Sequence, residues 1–401
     1  MTVGQAKGSV LIIVENLSLP FDRRVWAESL ALVEAGYKVS VICPMRPGES
    51  RHEILENVSI YRYGSPREAK GALGYLWEYA YSLVAALLLS LKVRRREGFD
   101  VIQACNPPDV LFVIARFHKL FGRKKFIFDH HDLSPELFAL RYDPKRKSLI
   151  HSALLWLERC TFKTADVVIA TNESYKSVAV SRGKKDPDTV FVVRNGPNLD
   201  RFEPVPANPS LRNGRDYLVC YVGVMADQDG LDYLLRAIGG VVNERGRTDI
   251  TFALIGSGDS VGSLKALALE LGISDYVVFP GRISDADLIE HLSTADVCVV
   301  PDPYNDFNDK CTFIKIAEYM AVGKPIVSFD LTESRFTAGD AAVYVENNDA
   351  EQFGRKIIEL IDDPGRRAAM GKFGIRRVRE VLAWEHSKRH LLNAYEKALA
   401  G

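Results

Sequence analysis

Short apolar runs alternate with stretches of helical periodicity along nearly the whole chain, and this alternation is what most restricts the fold. Runs at 10–15, 38–44, 58–62, 101–104, 125–129, 167–170 and 190–194 read as strands. Helical patterns at 23–35, 73–96, 109–121, 148–164 and 173–181 lie between most of them. Strands apolar on both faces and joined by helices pair in parallel, so an α/β, doubly wound sheet is expected. A stretch from 195 to 214, with Pro197, Pro204, Pro206 and Pro209, interrupts the alternation and reads as a linker. The pattern then restarts, with strands at 218–223, 251–255, 277–280, 297–300, 325–329 and 341–345. Helices at 230–244, 260–271, 285–294 and 312–322 fill the intervals, and the tail from 349 onward is helical. The expectation is two tandem Rossmann-like domains, at 1–203 and 204–380, followed by a C-terminal helix at 381–401.

A chain of 401 residues is too long for one ordinary core, and 47% hydrophobic with 26% charged residues is a globular composition. The formal charge is zero, but residues 1–200 hold 29 Lys and Arg against 22 Asp and Glu, and the remainder 23 against 30. Opposed halves suit two domains with different ligands, and the overall balance argues against a nucleic-acid partner. Six scattered cysteines, without C-x-x-C or zinc spacing, read as reduced cysteines of a cytoplasmic protein. No basic segment precedes the first strand, so no signal peptide is expected. The most apolar segment, 79–91, falls short of the roughly 20 residues needed to span a bilayer.

The stretch from Asn305 to Pro325 joins two of the apolar runs as a loop followed by a helix. Thr312 is its expected N-cap, Gly323 sits where a C′ glycine belongs, and Pro325 stops it. Phe313, Ile316, Ala317 and Met320 share one arc, while Cys311, Lys315 and Glu318 fall on the other side. A helix N-terminus at the carboxyl end of a parallel strand suits an anion such as a diphosphate. Equally, Lys315 and Glu318 are spaced for an i,i+3 ion pair on a solvated face.

Ile255-Gly256-Ser257-Gly258-Asp259-Ser260 sets two glycines between a strand and a helix, where bare backbone could approach a phosphate. It belongs to the second strand of its domain, which argues against a dinucleotide fingerprint. The D-x-D triplets Asp186–Asp188, Asp227–Asp229 and Asp285–Asp287 could hold a divalent cation on a diphosphate, but aspartates at turns and helix starts explain them as well. His130 and His131 are adjacent on an extended chain, point opposite ways, and cannot easily share one ion.

Together these residues resemble glycosyltransferase family 4 (group 1), retaining enzymes of the GT-B fold, two Rossmann-like domains facing a cleft. The markers are Pro20-Phe21-Asp22-Arg23-Arg24-Val25-Trp26, the His131-Asp132 step, Arg194-Asn195-Gly196-Pro197-Asn198-Leu199-Asp200-Arg201-Phe202, Leu254-Ile255-Gly256-Ser257-Gly258 and Glu318-Tyr319-Met320-Ala321-x-Gly-x-Pro. The resemblance implies a first domain that holds the acceptor, through Asp22 and Arg23, and a second that binds the nucleotide sugar. Glu318 then matches the acid on the donor ribose, and His131 the first-domain histidine near the reacting sugar. Donor contacts carry over to Asn195, Gly223, Gly256, Gly258, Arg282, Lys310, Thr312 and Lys315. The helix around 384–399 would cross back onto the first domain.

The chain departs from the family pattern. The usual first acid would fall at 310, where Lys310 stands, and Asp309 is the expected replacement for sugar contacts. The Arg and Lys that clamp the diphosphate are replaced around Val224 and Asp229, which leaves Lys310, Lys315 and the 312–322 helix N-terminus as compensating charge. The Gly-Gly after the first strand is replaced near Asp22-Arg23. A subset of the family shares Asn-Asp-x-x-Thr-x-x-Lys-x-x-Glu-Tyr-Met. The function implied is that of a hexosyltransferase moving a sugar from a nucleoside diphosphate, UDP in the first instance, to a polysaccharide or lipid-linked glycan, with no metal or other cofactor. A nucleotide-sugar epimerase and a non-catalytic nucleotide-sugar sensor are the alternatives.

Basic clusters at 94–96, 123–125 and 145–147 accompany the apolar segment 75–91 with its Trp77. They suit peripheral attachment to the inner face of a plasma membrane, or else the helix is packed core and the clusters are solvated turns.

Overall fold

A computed structural model of the chain describes residues 7–65, 71–197 and 199–400. It divides into two compact units, Met1–Arg194 with Ser387–Gly401, and Asn195–His386.

The first unit runs β1 (Ser9–Ile13), α1 (Arg23–Glu34), β2 (Lys38–Met45), β3 (His52–Leu55), β4 (Val58–Gly64), α2 (Gly71–Arg96), β5 (Val101–Cys105), α3 (Phe112–Leu120), β6 (Lys125–His130), α4 (Ser134–Tyr142), α5 (Leu149–Thr164), β7 (Val167–Ala170), α6 (Glu173–Ser181) and β8 (Val190–Val192). Its sheet has the order β3-β4-β2-β1-β5-β6-β7-β8, parallel except for the β3 edge. Right-handed crossovers that travel opposite ways from β1 set α1 on one face and α2, α3 and α5 on the other. The sequence gives no warning of β3 or α4. Strand β3 turns back onto β4 through Glu56 and Asn57, both at positive φ, the geometry of a two-residue hairpin usually marked by glycine.

The second unit runs β9 (Tyr217–Val224), α7 (Leu231–Gly239), β10 (Ile250–Ser257), α8 (Val261–Glu270), β11 (Val277–Gly281), α9 (Asp285–Thr294), β12 (Val297–Val300), α10 (Ile314–Ala321), β13 (Ile326–Phe329), α11 (Thr332–Ala338), β14 (Ala342–Val345), α12 (Ala350–Asp362) and α13 (Pro364–Arg377). The order β11-β10-β9-β12-β13-β14 is wholly parallel. Buried side chains cover both faces, with Leu235, Phe252 and Phe353 on one and Ile316, Met320 and Val378 on the other. Burying each large one contributes about 2 kcal/mol.

The proline-rich stretch is not a free linker. Val205 N donates to Ser293 Oγ at 3.0 Å and Asn208 N to Thr294 Oγ1 at 2.9 Å, while Phe202 is buried in the second core. A Cβ at Gly196 would come within 2.6 Å of the Leu382 carbonyl. These contacts move the division from 203/204 to 194/195. The final helix, α14 (Trp384–Ala400), carries its last residues in the first unit, so the second division falls at 386/387 rather than 380/381.

Helix α10 starts two residues later than expected. Its N-cap is Phe313, which makes no side-chain cap, and Thr312 lies in the preceding loop.

Gly256 has φ +140°, and a Cβ there would lie 1.8 Å from the Gly223 carbonyl oxygen of the neighbouring strand. The glycine is required by the close approach of β10 to β9 at their carboxyl ends. Gly256→Ala is expected to lower stability by about 3 kcal/mol or more, read as a fall in the urea midpoint at constant slope. A midpoint within 0.3 M of wild type, roughly half a kcal/mol, contradicts this.

Candidate functional site

Strand order reverses between β1 and β5 in the first unit and between β9 and β12 in the second. Open α/β sheets leave a crevice at such points, outside the carboxyl ends of the strands. Each unit concentrates buried polar side chains there.

In the first unit, Asp22 caps α1 by accepting from Val25 N at 3.0 Å, and Arg23 is exposed. Their neighbour Arg24 turns inward and donates to His131 Nε2 at 2.8 Å, Asp129 Oδ1 at 2.9 Å and the Val193 carbonyl at 2.8 Å. Asn106, just past β5, fixes the loop after β6. Its Oδ1 accepts from His131 N at 2.7 Å and Asp132 N at 3.2 Å, and its Nδ2 donates to the Asp132 carbonyl at 2.7 Å. Burial pushes the Asp129 carboxyl up, but Arg24 and His131 outweigh it and hold Asp129 well below the usual carboxylate range.

The histidine pair splits as the alternation of an extended chain requires. His131 turns to Asp129 and Arg24. His130 is buried among Phe128, Phe162 and Tyr175, with ring centroids 5.1–5.2 Å away. Burial, helped by Arg182 and His131, lowers its pKa to about 3. Donor atoms of Cys105, Asp129 and His131 lie within 4.8 Å of one another, as in a metal site. Two of the three already face the permanent charge of Arg24, and burial pushes the Cys105 thiol up, so a cation would meet a buried cation and a protonated sulfur.

In the second unit, Lys315 Nζ makes a buried ion pair with Asp302 Oδ2 at 2.7 Å, and lies 4.6 Å from the centre of the Tyr221 ring. Burial pushes the Asp302 carboxyl up to about 6 despite Lys315. Lys315 therefore does not pair with Glu318 on a solvated face. Glu318 is itself largely buried, with Arg201 Nη1 at 3.9 Å. Arg201 also clasps Asp285 on α9.

Other expected contacts have local partners. Asp309 accepts from Thr332 N at 2.8 Å and Thr332 Oγ1 at 3.2 Å, so its carboxylate anchors the start of α11. Lys310 Nζ donates to the Asp306 carbonyl at 2.5 Å. Gly223, Gly256 and Gly258 pack backbone against side chain or backbone, Gly258 against the Met225 carbonyl. Asn195 is partly buried at the start of the unit, whereas Arg282 is exposed past β11. Asn198 lies outside the described residues.

The D-x-D triplets act as turn and cap groups. Asp186 accepts from Asp188 N at 3.0 Å, Asp227 Oδ1 from Ser260 Oγ at 2.5 Å, and Asp229 Oδ2 from Ala226 N at 2.9 Å. Asp285 pairs with Arg201, and Asp287 with the capping Ser284.

The sequence reading missed Asn106, Asp129, Tyr221 and Asp302 as site residues. Asn106, Tyr221 and Asp302 stand on, or within two residues of the end of, a strand beside a switch point, and Asp129 on the next strand over, and this placement is the signal that could have found them. Arg24 and Arg201 stood inside the quoted motifs without a role.

Residues 22–201 match the family model Glycosyltransferase Family 4, and residues 216–363 match Glycosyl transferases group 1. A D-inositol 3-phosphate glycosyltransferase of Thermomonospora curvata is 29% identical over 255 residues, 58% of this chain and 57% of that protein. An MMP alpha-(1->4)-mannosyltransferase of Mycolicibacterium hassiacum is 29% identical over 219 residues, 53% of this chain and 50% of that protein. The chain thus spans little more than half the length of these curated relatives. Among solved structures, the sucrose-phosphate synthase of Thermosynechococcus elongatus aligns over 98% of this chain and 100% of its own, with TM-score 0.81 and 19% identity. Anabaena HepE in complex with UDP and glucose aligns over 97% and 99%, with TM-score 0.71 and 14% identity. Both carry the same two-domain fold.

His130 yields a pH test. Its folded pKa is depressed, so its contribution to stability is complete above the unfolded value near 6.5 and is lost as pH falls from there toward about 3. Chemical denaturation at several pH values is expected to show wild type losing stability relative to His130→Gln by about 1.4 kcal/mol per unit below pH 6. Parallel curves for the two proteins contradict a buried neutral ring.

Proposed function

Because the chain belongs to glycosyltransferase family 4 (group 1), we propose that it transfers a hexosyl group from a nucleoside diphosphate sugar, UDP-linked, to a hydroxyl of a polysaccharide or lipid-linked glycan. The bond from the anomeric carbon to the β-phosphate oxygen breaks and one to the acceptor oxygen forms. The acceptor proton leaves on the departing diphosphate, on the same face, so configuration is retained. The protein's work is then positioning and charge stabilisation.

The observation that supports this reading best is the buried polar cluster at the switch point of each sheet. In the second unit, Glu318 accepts from the ribose hydroxyls. Lys315, the N-terminus of α10 and the backbone at Gly223, Gly256 and Gly258 face the diphosphate, with Asn195, Arg282, Lys310 and Thr312 around them. Asp309 serves by holding Thr332 and the loop before α10. In the first unit, His131 faces the reacting sugar, and Asp22 and Arg23 belong to the acceptor side.

The test is turnover of UDP and GDP sugars with glycan acceptors, with the product anomer read by NMR. Transfer with retention supports the proposal, while donor turnover that needs no acceptor points to an epimerase, and binding without turnover to a sensor. Glu318→Gln is expected to lower kcat/KM at least a hundredfold, about 2.7 kcal/mol of transition-state stabilisation, with the fold intact. An unchanged rate removes the ribose assignment. Transfer is also expected to survive EDTA, because the D-x-D carboxylates already serve turns and caps. Loss with EDTA and recovery with Mn²⁺ reverses that.

Membrane contact is the further part of the reading. No helix among the described residues is long and apolar enough to cross a bilayer. Yet Trp77, Tyr81, Val84 and Leu88 of α2 form an exposed stripe at helical spacing, with Trp77 66% and Leu88 62% exposed. Exposed Leu120 and Phe121 of the α3 end, and Leu149, Ile150 and Trp156 of α5, extend the apolar face across the same side of the sheet. The side chain of Tyr75, also expected there, lies outside the described residues. Arg95, Arg96, Arg123, Lys145, Arg146 and Lys147 flank that face and are exposed. Each adds about 1 kcal/mol on an anionic leaflet. Co-sedimentation with phosphatidylglycerol liposomes is expected at low salt, falling with salt and on neutralising the three clusters. No binding at low salt leaves the face without this role.

A further inference from the structure

A chain of hydrogen bonds in the first unit runs from the last helix to Asp129, which lies against the His131 ring. The Tyr395 hydroxyl on α14 donates to Gln103 Oε1 on β5. Gln103 Nε2 donates to Glu28 Oε2 at 2.7 Å and to Asp129 Oδ2 at 2.9 Å. Asp129 Oδ2 in turn lies 2.7 Å from His131 Nε2, and Asp129 Oδ1 holds Arg24, whose Nε donates to that same nitrogen. Tyr395, Gln103, Glu28 and Asp129 are all inaccessible to solvent.

The direction of this chain is fixed by Asp129, whose charged carboxylate can only accept. An amide has an accepting end and a donating end, and its neighbours decide which way it lies. Gln103 must therefore turn its NH₂ to Asp129 and its oxygen to Tyr395, whose hydroxyl donates to it and anchors that end of the amide. Reversed, it would set a carbonyl against the Asp129 carboxylate in a site closed to solvent. Asp129 is then held at both oxygens, by Arg24 Nη2 at 2.9 Å on Oδ1 and by Gln103 on Oδ2, so its plane cannot turn. Burial and the Asp129 charge raise the Glu28 carboxyl, against the pull of Arg24, whose Nε lies 3.1 Å from its Oε1.

We propose that Tyr395 and Gln103 are positioning residues that act through Asp129 to fix the His131 ring, so that the last helix of the chain sets the geometry of the candidate catalytic histidine. Neither touches a substrate. The inference rests on the assignment of His131 to the active site, and its test separates the two.

The test is Tyr395→Phe, which removes one hydroxyl and keeps the ring. In ¹⁵N-histidine-labelled protein, the ring signals of His131, assigned by their loss in His131→Ala, are expected to shift, while those of the other seven histidines stay. In the transfer assay, kcat falls five- to tenfold with KM unchanged, and adding Tyr395→Phe to His131→Ala costs less than a further twofold. Gln103→Leu breaks the chain one link closer, gives the same signature, and serves where Tyr395→Phe lowers the yield of folded protein. Lys388→Ala, which removes the exposed pairing of α14 with Glu34, loosens the helix alone and leaves both readouts unchanged. Unmoved His131 signals, or the same loss of kcat with and without His131, overturn the proposal. Shifted signals in a protein whose transfer does not depend on His131 leave the network standing and remove the active-site assignment.

Discussion

Right-handed crossover is the constraint on which both sites depend. Because a parallel connection turns one way only, a sheet that grows in both directions from a first strand must send its helices to opposite faces, and the chain ends on either side of that strand separate. In the first unit this occurs between β1 and β5, and in the second between β9 and β12. No helix fills the gap at the carboxyl ends, so side chains there can be polar without displacing apolar packing. Arg24, Asn106 and His131 occupy one gap, and Tyr221, Asp302 and Lys315 the other.

The two clusters handle charge alike. Each buries a permanent cation against a carboxylate: Arg24 with Asp129 at 2.9 Å, with Glu28 also 3.1 Å away, and Lys315 with Asp302 at 2.7 Å. A buried pair of this kind adds little net stability, since desolvation offsets attraction, but removing one partner alone is strongly destabilising. Its effect is to fix side chains in place. In the first unit the fixed object is the His131 ring. In the second it is the floor beneath Gly223, where a Cβ would lie 3.5 Å from Lys315 Nζ.

Element type was largely legible because parallel strands buried on both faces are continuous apolar runs and their helices are long. The strands at 167–170 and 297–300 agree with the sequence reading to the residue. What escaped was short or lacked its usual marker: β3 behind an Asn turn without glycine, α4 of nine residues, and α11 of seven. Among site residues, periodicity separated His130 from His131 because adjacent side chains on a strand diverge. It could not tell that Lys315 would turn away from Glu318, because that choice is made by Asp302, thirteen positions earlier and brought close only by the β12 turn. Tyr395 was equally out of reach, being 292 residues from the amide it bonds.

The neutral pairing of Lys315 alters what can hold an anion in the second unit. A lysine with its charge matched by Asp302 offers a diphosphate less than a bare one would. Lys310 is tied to the Asp306 carbonyl, and Asp309 sets a further negative charge at the start of α11. On the proposed reading, much of the attraction for the donor then falls to a partial charge that no side chain matches: the start of α10, whose N-cap Phe313 supplies no side-chain oxygen. A helix start with an apolar N-cap is a weakness in a helix that serves only packing, since a capping oxygen is typically worth about 1 kcal/mol. At the carboxyl end of β12, beside the switch point, the same omission leaves no capping oxygen to compete with an anion for the helix start.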